Sequence, residues 1–293
     1  IKKEQLAIYL GSAIKSKGML AFSFRAEGST AVNILQDYMK NHYRRSSQIT
    51  AMLTVFAMSD DPLIIQLLLG LSRRYRTSSI QDLAKELVGT IAERNNWTAD
   101  ELADRTIPTA GLDENGILTI DYDTRTLSAY VDDKDKFVLK NETGKVIKSL
   151  PAARQNEDAA IIKEAKALFS NSKKEFKQVV DSQTTRLYEA MCSERLWTSS
   201  DWQEYLYAHP IMKRLISHLI WIGVNSDGKQ ILSFRPSDDG SLLDFNDDEI
   251  TLQPDSYIKL AHSVLLTAEE CEQWREHLKD YEVKSLFGVF TQF

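Results

Sequence analysis

Four charged or titratable side chains lie where one predicted element gives way to the next. Asp104 and Arg105 precede a Thr-Ile-Pro turn, and Arg105 offers a forked donor for a carboxylate or a phosphate. His209 stands directly before Pro210, and a histidine titrates near neutral pH. Together with Arg235, these side chains would form an enzyme site of unfamiliar type if the fold gathered them in one pocket. The structural alternatives, which we favour, are a salt bridge that pins the helix to the sheet and a His209 that satisfies a backbone group at the start of a helix.

The basic residues of the chain are concentrated at its start. Residues 1–76 hold eleven Lys and Arg against five Asp and Glu, so they carry +6 and the rest −12 within a net charge of −6. Arg73, Arg74 and Arg76 form the densest group. Such an asymmetry predicts either a surface that contacts the phosphates of a nucleic acid or a plain solvated basic face, and we favour the solvated face.

The sequence predicts no metal site and no cofactor. Asp244, Asn246 and Asp248 resemble the opening of a calcium-binding loop, but Glu249 stands where the sharp turn of that loop requires glycine. Cys192 and Cys271 lack partners at zinc-ligand spacing, and we expect them to be reduced thiols. The sequence also lacks a phosphate-binding glycine loop, a Gly-x-Ser-x-Gly elbow and a His-Glu-x-x-His pair.

The elements that must position these side chains begin with a series of helices. Apolar residues recur at helical spacing in five stretches, and Gly18 and Pro62 mark one end and one beginning. The joints between the stretches are short, a pattern typical of helical-repeat hairpins. The predicted helices cover residues 3–17, a stretch after Ser29, a stretch through Ile49 and Phe56, a stretch from Pro62, and residues 79–94.

An alternating pattern replaces the helical one between Glu101 and Tyr122. Thr98 and Glu101 form a capping box for a short helix, which Pro108 must end. Four strands then follow in an antiparallel meander, separated by turns rich in Asp, Asn and Gly. The predicted strands cover 117–122, 125–131, 136–140 and 144–148, and a long helix follows over 157–195.

The remaining elements are mixed. Ser200 with Gln203 predicts the cap of a further helix, His209-Pro210 the beginning of a helix from Met212 to Trp221, and Thr267 with Glu270 another capping box. Strands are predicted at 230–235, 250–252 and 257–264. The sequence therefore predicts an α+β protein: helical-repeat-like hairpins over 1–97, and a mixed domain with an antiparallel meander and a long helix over 98–293.

Several short motifs of this second part occur in the same order in one known family. The run from Ala103 to Tyr122, ADRTIPTAGLDENGILTIDY, resembles the C-terminal domain of unknown function of bacterial MolR-type proteins, named for molybdate metabolism regulation. Asp123 stands where that family has glycine, and Leu286-Phe287 where it has Pro-Phe. The other matching pieces are Gly144-Lys145, Leu150-Pro151, Gln183, Arg186-Leu187, Ala190-Met191, Trp197, His209-Pro210, Leu219-Ile220-Trp221, Phe234-Arg235, Ala261-His262, Trp274 and Asp280-Tyr281-Glu282.

The resemblance implies a regulatory role and, in such proteins, a WGR domain and helical repeats ahead of the C-terminal region. It supplies no catalytic motif. We therefore expect a non-enzymatic regulatory or protein-interaction module, with a nucleic-acid-associated regulator or an unfamiliar enzyme as alternatives. Ile1 is not an initiator Met, and no secretory leader or membrane span is visible, so we expect a cytoplasmic piece of a longer chain with a protein partner and no membrane partner.

Overall fold

The computed structural model describes residues 28–59, 61–73 and 75–288, with helices and two antiparallel sheets in an α+β fold. The predicted helix over 3–17 and the side chain of Arg74 lie outside these residues. The chain divides into two compact units, Ile1–Ile107 and Pro108–Phe293. The boundary predicted at residue 98 stays a prediction.

The described part of the first unit consists of helices. Four of them follow the predicted stretches, and the fifth is the short helix behind the Thr98–Glu101 capping box, in which both reciprocal hydrogen bonds are formed. The helices are α1 (Gly28–Asn41), α2 (Ser46–Phe56), α3 (Pro62–Arg73), α4 (Ser78–Arg94) and α5 (Ala99–Arg105).

One apolar core holds this unit together. Helix α3 packs on α4 and on α1, and α2 packs on α4. Leu53, Leu68 and Ile80, one from each of three helices, are fully buried in the shared core. Arg94 fixes the end of α4 by donating to the backbone oxygens of Ala57 and Ser59 at 3.0 and 2.9 Å. Each helix alone would leave an apolar stripe in water, so the packing supplies most of the stability.

The predicted meander is confirmed in the second unit. Its sheet has the strand order β1-β2-β3-β4, all antiparallel, with Ile117 paired to Tyr130 and Val131 to Phe137. Leu118 and Ile120 point to the buried face while their neighbours are more exposed, as the alternation predicts. The strands are β1 (Ile117–Asp121), β2 (Thr126–Val131), β3 (Phe137–Lys140) and β4 (Val146–Ile147).

The long helix α6 (Ala159–Cys192) is also confirmed and contacts β1. Its beginning is tied to the β1–β2 turn. The buried carboxylate of Glu157 accepts from Arg125 Nε at 2.8 Å, and the amide of Asp158 donates to Asp123 at 3.0 Å. Burial would raise the pKa of Glu157, but hydrogen bonds from the Arg154 amide and from Arg125 outweigh it, and the pKa is lowered. The carboxylate therefore remains charged at neutral pH.

A second sheet follows, with the order β5-β9-β6-β7-β8 and antiparallel pairing throughout. Ile222 and Trp274 lie in an apolar core on one of its faces, and Trp221 and Phe234 contact the indole of Trp202 on the other. The elements are β5 (Trp197–Thr198), α7 (Ser199–Asp201), a π-helix (Trp202–Tyr207), α8 (Met212–Ile216), β6 (Trp221–Val224), β7 (Gln230–Pro236), β8 (Leu242–Leu243), β9 (Tyr257–Leu260), a 3-10 turn (Ser263–Leu265) and α9 (Ala268–Asp280).

Three local predictions in this region are wrong. The cap before α7 is Thr198, whose side chain accepts from the Asp201 amide, and not Ser200. The helix from Met212 ends at Ile216, and Trp221 belongs to strand β6. All four residues of this strand are buried, so its sequence lacks the alternation of apolar and polar residues that would predict a strand. Residues 250–252 do not form a strand. The capping box of Thr267 and Glu270 is confirmed at the beginning of α9.

Candidate functional site

Asp104 and Arg105 lie in the first unit and are both buried. The guanidinium of Arg105 stacks over the Trp97 ring at 4.5 Å, and its Nη1 donates to the Glu101 carbonyl at 3.2 Å. These contacts hold α5 to its own unit. They fit a structural role for Arg105, although a role for either residue in binding stays a prediction.

His209 lies in the second unit and is buried at the beginning of α8. Its Nδ1 accepts hydrogen bonds from the amides of Ile211 and Met212, both at 3.2 Å. These two amides have no carbonyl partner within the helix, so the imidazole serves as the helix cap. Sequence reasoning favoured this arrangement for His209.

The basic residues near the end of α3 are described in part. Arg73 is the last residue of that helix, and Arg74 lies outside the described residues. Arg76 is exposed, and its guanidinium carbon lies 3.9 Å from the centroid of the Tyr43 ring.

Arg235 stands at the centre of a buried polar network between β7 and α9. Its side chain is almost entirely buried, and its Nε donates to His277 Nε2 at 3.1 Å. Its Nη1 donates to the carbonyls of Ser217 and Pro236 at 3.2 and 3.0 Å. His277 Nδ1 in turn lies 3.1 Å from an Asp247 carboxylate oxygen. Arg235 therefore links its own strand to α9 and to the segment of Ser217, and His277 extends the network to Asp247.

This geometry determines the protonation of His277. Arginine carries no acceptor, so Nε2 must accept, and the proton of the neutral ring lies on Nδ1, which donates to Asp247. Burial, and then the nearby positive charge of Arg235, lower the pKa of His277. The imidazole is therefore neutral at physiological pH, and Arg235 carries the charge.

Tyr281, the residue after α9, closes the network on the solvent side. Interaction of its hydroxyl with the Asp247 carboxylate, followed by burial, raises the pKa of Tyr281. Its ring lies 5.2 Å from the guanidinium carbon of Arg235 and 4.6 Å from the His277 ring. Asp247 thus has two partners, one on the last turn of the helix and one just beyond it.

A large groove lies directly beside this network. It has a volume of about 1180 Å³ and is lined by the 133–135 turn, the 236–240 turn, helix α8 and residues 284–286. Ser217 and Pro236, whose carbonyls accept from Arg235, are both lining residues. The buried network therefore holds two points of the groove wall in place.

Arg214 of α8 fixes the first wall. It donates to the carbonyls of Val131 and Asp132 at 3.3 and 2.5 Å and to the Asp135 carboxylate at 2.9 Å. The arginine thereby links α8 to the β2–β3 turn of the meander sheet. One side chain therefore sets the separation between the floor of the groove and this rim.

The second and third walls are fixed by local hydrogen bonds. The Tyr207 hydroxyl donates to the Gly240 carbonyl in the turn between β7 and β8. Gly240 has φ +90°, a backbone conformation that favours glycine. His218 Nδ1 lies 2.9 Å from the Lys284 carbonyl, which holds the C-terminal segment against the end of α8.

In the described part of the second unit, five turns share one hydrogen-bond pattern. A side-chain oxygen of Asp or Asn accepts from the amides two and four residues later, and the residue three positions later has a positive φ. The acidic run at Asp244 is one of these turns, so its carboxylate is used by the amides of Asn246 and Asp248 rather than by an ion. The turns begin at Asp113, Asp132, Asn141, Asn225 and Asp244.

In two of these five turns, the residue with the positive φ is aspartate and not glycine. Glycine occupies this position in three turns, whereas Asp135 has φ 57° and Asp247 has φ 67°. A left-handed conformation costs a residue with a Cβ roughly 1 kcal/mol or more. Asp135 is the residue that pairs with Arg214, and Asp247 is the one that contacts His277. Both strained positions therefore supply a carboxylate to the structure around the groove.

Acidic side chains predominate along the groove. Glu114, Asp133 and Asp238 are exposed lining residues, and in the described part of the chain none of them forms an ion pair. Asp135, which pairs with Arg214, and Asp239 also line the groove, and hydrogen bonds from Ser237 and Ser241 lower the pKa of Asp239 to about 2. The ammonium groups among the lining residues belong to Lys213 and Lys284. The groove therefore offers a net negative surface at neutral pH.

The described residues include neither a metal-binding cluster nor a membrane-spanning helix. Over 28–59, 61–73 and 75–288, no three His, Cys, Asp or Glu side chains lie together in a way that could hold a metal ion. In the same ranges no helix has the length and apolarity needed to cross a membrane.

Sequence reasoning identified Arg235 but missed its partners. Neither His277 nor Asp247 is among the candidate residues that the sequence predicts. The signal in the sequence was the recurring turn pattern, in which Asp stands at 135 and 247 where Gly116, Gly144 and Gly228 stand in the other turns. A strained residue retained in a repeated turn points to a contact elsewhere in the fold.

Comparison with known proteins assigns part of the chain. Residues 144–289 match the family model described as "Domain of unknown function (DUF4132)", which confirms a domain of unknown function in the C-terminal part of the chain. The matched residues include Arg235, Asp247 and His277 but not the first three strands of the meander.

The chain is also similar to a much longer curated protein. It is 27% identical over 278 residues to "Uncharacterized protein YehI" of Escherichia coli (strain K12). The alignment covers 93% of this chain and 23% of that protein, so the chain spans about a quarter of the length of its relative. No solved structure is significantly similar to the chain.

Proposed function

We propose that the second unit is a non-enzymatic protein-interaction module whose groove binds an extended, cationic segment of a partner protein. The observation that supports the proposal is the charge of the groove: Glu114, Asp133 and Asp238 present carboxylates without ion-pair partners in the described structure. Because charge complementarity steers and orients association, Lys and Arg side chains are the matching groups on a partner.

The size of the groove also favours a polypeptide. Sites for small molecules typically have volumes of about 300–1,000 Å³ and enclose most of their ligand. The groove has about 1180 Å³ and is lined by separate turns with exposed carboxylates. An extended chain can lie along such a surface and present side chains to both rims.

His277 and His209 have structural partners, which argues against proton transfer as the role of these two histidines. Both ring nitrogens of His277 are engaged, with Arg235 and with Asp247. His209 caps α8 through Nδ1. An enzyme site that uses His209 and Arg235 remains the less favoured alternative.

Selection from a library of displayed random peptides of about twelve residues tests the proposal. We expect the full chain to enrich peptides with several Lys or Arg and the triple variant Glu114→Gln, Asp133→Asn, Asp238→Asn to lose this enrichment. Asp227→Asn with Asp255→Asn removes two exposed carboxylates that do not line the groove and serves as the control. Equal enrichment by the triple variant and the wild-type chain, or no enrichment by either, would reject the proposal.

The biological setting is part of the same proposal. The resemblance to MolR-type proteins supports a regulatory role in the cytoplasm, and the partner would then be another component of that regulation. The proposed binding of a cationic peptide does not involve molybdate, because molybdate is an anion and the net charge of the groove is negative.

The alternative partner, a nucleic acid, does not fit this acidic groove because phosphates would be repelled by its carboxylates. A nucleic-acid partner is supported instead by a separate feature of the first unit.

A further inference from the structure

Two arginines of the first unit converge on one tyrosine ring. The guanidinium carbon of Arg76 lies 3.9 Å from the centroid of the Tyr43 ring, and that of Arg44 lies 5.6 Å from it. Arg44 Nε also donates to the Tyr43 hydroxyl at 3.2 Å. We call these three residues the Tyr43 cluster.

The fold brings the members of this cluster together from two separate joints. Tyr43 and Arg44 lie between α1 and α2, and Arg76 lies between α3 and α4. Helix α3 packs on both α1 and α4, which places the two joints side by side. The contact between Arg76 and Tyr43 is therefore a tertiary one that could not be recognised from spacing alone.

The cluster concentrates positive charge on the surface. Both arginines are exposed, and Arg44 forms no ion pair with any residue of the described structure. The face of the Tyr43 ring attracts the guanidinium of Arg76 through a cation–π interaction. The two exposed positive charges together attract anions to this part of the surface.

We propose that the Tyr43 cluster is a binding site for the phosphate backbone of a nucleic acid. Guanidinium groups match phosphate oxygens with two parallel hydrogen bonds, which lysine cannot form. The contacts of both groups with Tyr43, one at the hydroxyl and one over the ring, restrict their positions before binding, so less conformational entropy is lost when the phosphate binds. The inference is independent of the peptide groove, which lies in the other unit.

Fluorescence anisotropy with a labelled twenty-nucleotide single strand and the matching duplex tests the proposal with the full chain. We expect binding at 50 mM salt that weakens steeply with salt, and at least tenfold weaker binding by Arg44→Gln with Arg76→Gln. The slope of log affinity against log salt should fall by about 0.7 to 0.9 for each phosphate that the variant no longer neutralises. Tyr43→Leu should weaken binding with a smaller change in this slope, because the charges remain but their positions are no longer fixed.

The control variant, Lys145→Gln with Lys148→Gln, changes the net charge by the same amount on exposed residues of the other unit and should leave affinity and slope unchanged. Loss of binding in this control equal to that of the arginine variant would show a nonspecific charge effect and overturn the proposal. Absence of binding at 50 mM salt would overturn it as well. Equal competition by heparin and by unlabelled nucleic acid would show that the cluster binds polyanions in general, and this result would overturn the assignment to nucleic acid.

Discussion

Arg235 Nε donates a hydrogen bond to His277 Nε2 over 3.1 Å, with both side chains buried between β7 and α9. This bond forces the imidazole to be neutral and to direct its Nδ1 proton towards Asp247. Through Nη1, Arg235 donates to the carbonyls of Ser217 and Pro236, two lining residues of the groove. The protonation state of one histidine is therefore linked to the shape of the candidate site.

Acidification should destabilise the fold through His277. Its pKa is lowered in the folded chain, while an unfolded histidine has a pKa of about 6.5. The unfolded chain therefore binds more protons below that value, and the free energy of unfolding should fall as pH drops from about 7 to 5, by up to about 1.4 kcal/mol per pH unit. Urea unfolding at several pH values measures this slope.

His277→Gln is the matched variant for this pH dependence. Its amide can accept from Arg235 and donate to Asp247, but it does not titrate. We expect a shallower loss of stability between pH 7 and 5 than in the wild-type chain. Identical slopes in the two proteins would contradict the assignment of the titration to His277.

Replacing Arg235 by Met should lower the free energy of unfolding by about 3 kcal/mol. The change leaves His277 Nε2, the buried Pro236 carbonyl and the part-buried Ser217 carbonyl without this donor. Each unsatisfied buried group costs about 1–3 kcal/mol, partly offset by the loss of a buried charge. Arg154→Met is the control, since its ion pair with Glu142 is largely exposed and should contribute less than about 1 kcal/mol. A loss for Arg235→Met no larger than that of the control would contradict the central position of Arg235.

Glycine at the two strained turn positions should have unequal effects. Asp135→Gly relieves the strain of a left-handed residue at φ 57° and also removes the ion pair with Arg214. These two effects have similar size and opposite sign, so the free energy of unfolding should change by less than about 1 kcal/mol. Asp247→Gly relieves the same strain but leaves the buried His277 Nδ1 without its acceptor, and should destabilise by about 1–2 kcal/mol. Chemical denaturation of both variants would contradict this account if their losses were equal.

Gly240→Ala and Gly228→Ala should destabilise by similar amounts. Both glycines have a positive φ, +90° and +76°, so alanine costs roughly 1 kcal/mol at either position. At Gly240 the added Cβ lies 3.4 Å from the Tyr207 hydroxyl, an ordinary van der Waals distance, and at Gly228 it meets nothing within 4 Å. Chemical denaturation measures both losses, and an unchanged free energy of unfolding in either variant would contradict this account of the two turns.

Much of the fold was predictable because its local signals were strong. The Thr98–Glu101 and Thr267–Glu270 capping boxes and the alternation of β1 each depend on residues close in sequence. The beginning of β6 was predicted as helix, since a strand buried on both faces has no alternation to distinguish it. A short apolar run of this kind is decided by its neighbours in the sheet.

The groove and its support were less accessible to sequence reasoning. Arg235 was selected as a candidate, but its pairing with His277 spans 42 residues, and the contact of Arg214 with the Val131 carbonyl spans 83. Such pairs depend on the packing of one element against another and leave no trace in local spacing. The Asp residues at left-handed turn positions were the exception, because a repeated turn makes a departure from glycine visible.

The binding of a labelled cationic peptide to the full chain tests the central claim most directly. The peptide should be one with several Lys or Arg obtained by selection on the wild-type chain. Each exposed charge pair contributes about 0.2–1 kcal/mol, so Glu114→Gln, Asp133→Asn and Asp238→Asn together should weaken binding about tenfold. The control pair Asp227→Asn and Asp255→Asn should change it less than about twofold. Unchanged affinity in the triple variant, or an equal loss in the control, would contradict the account of the groove as the peptide site.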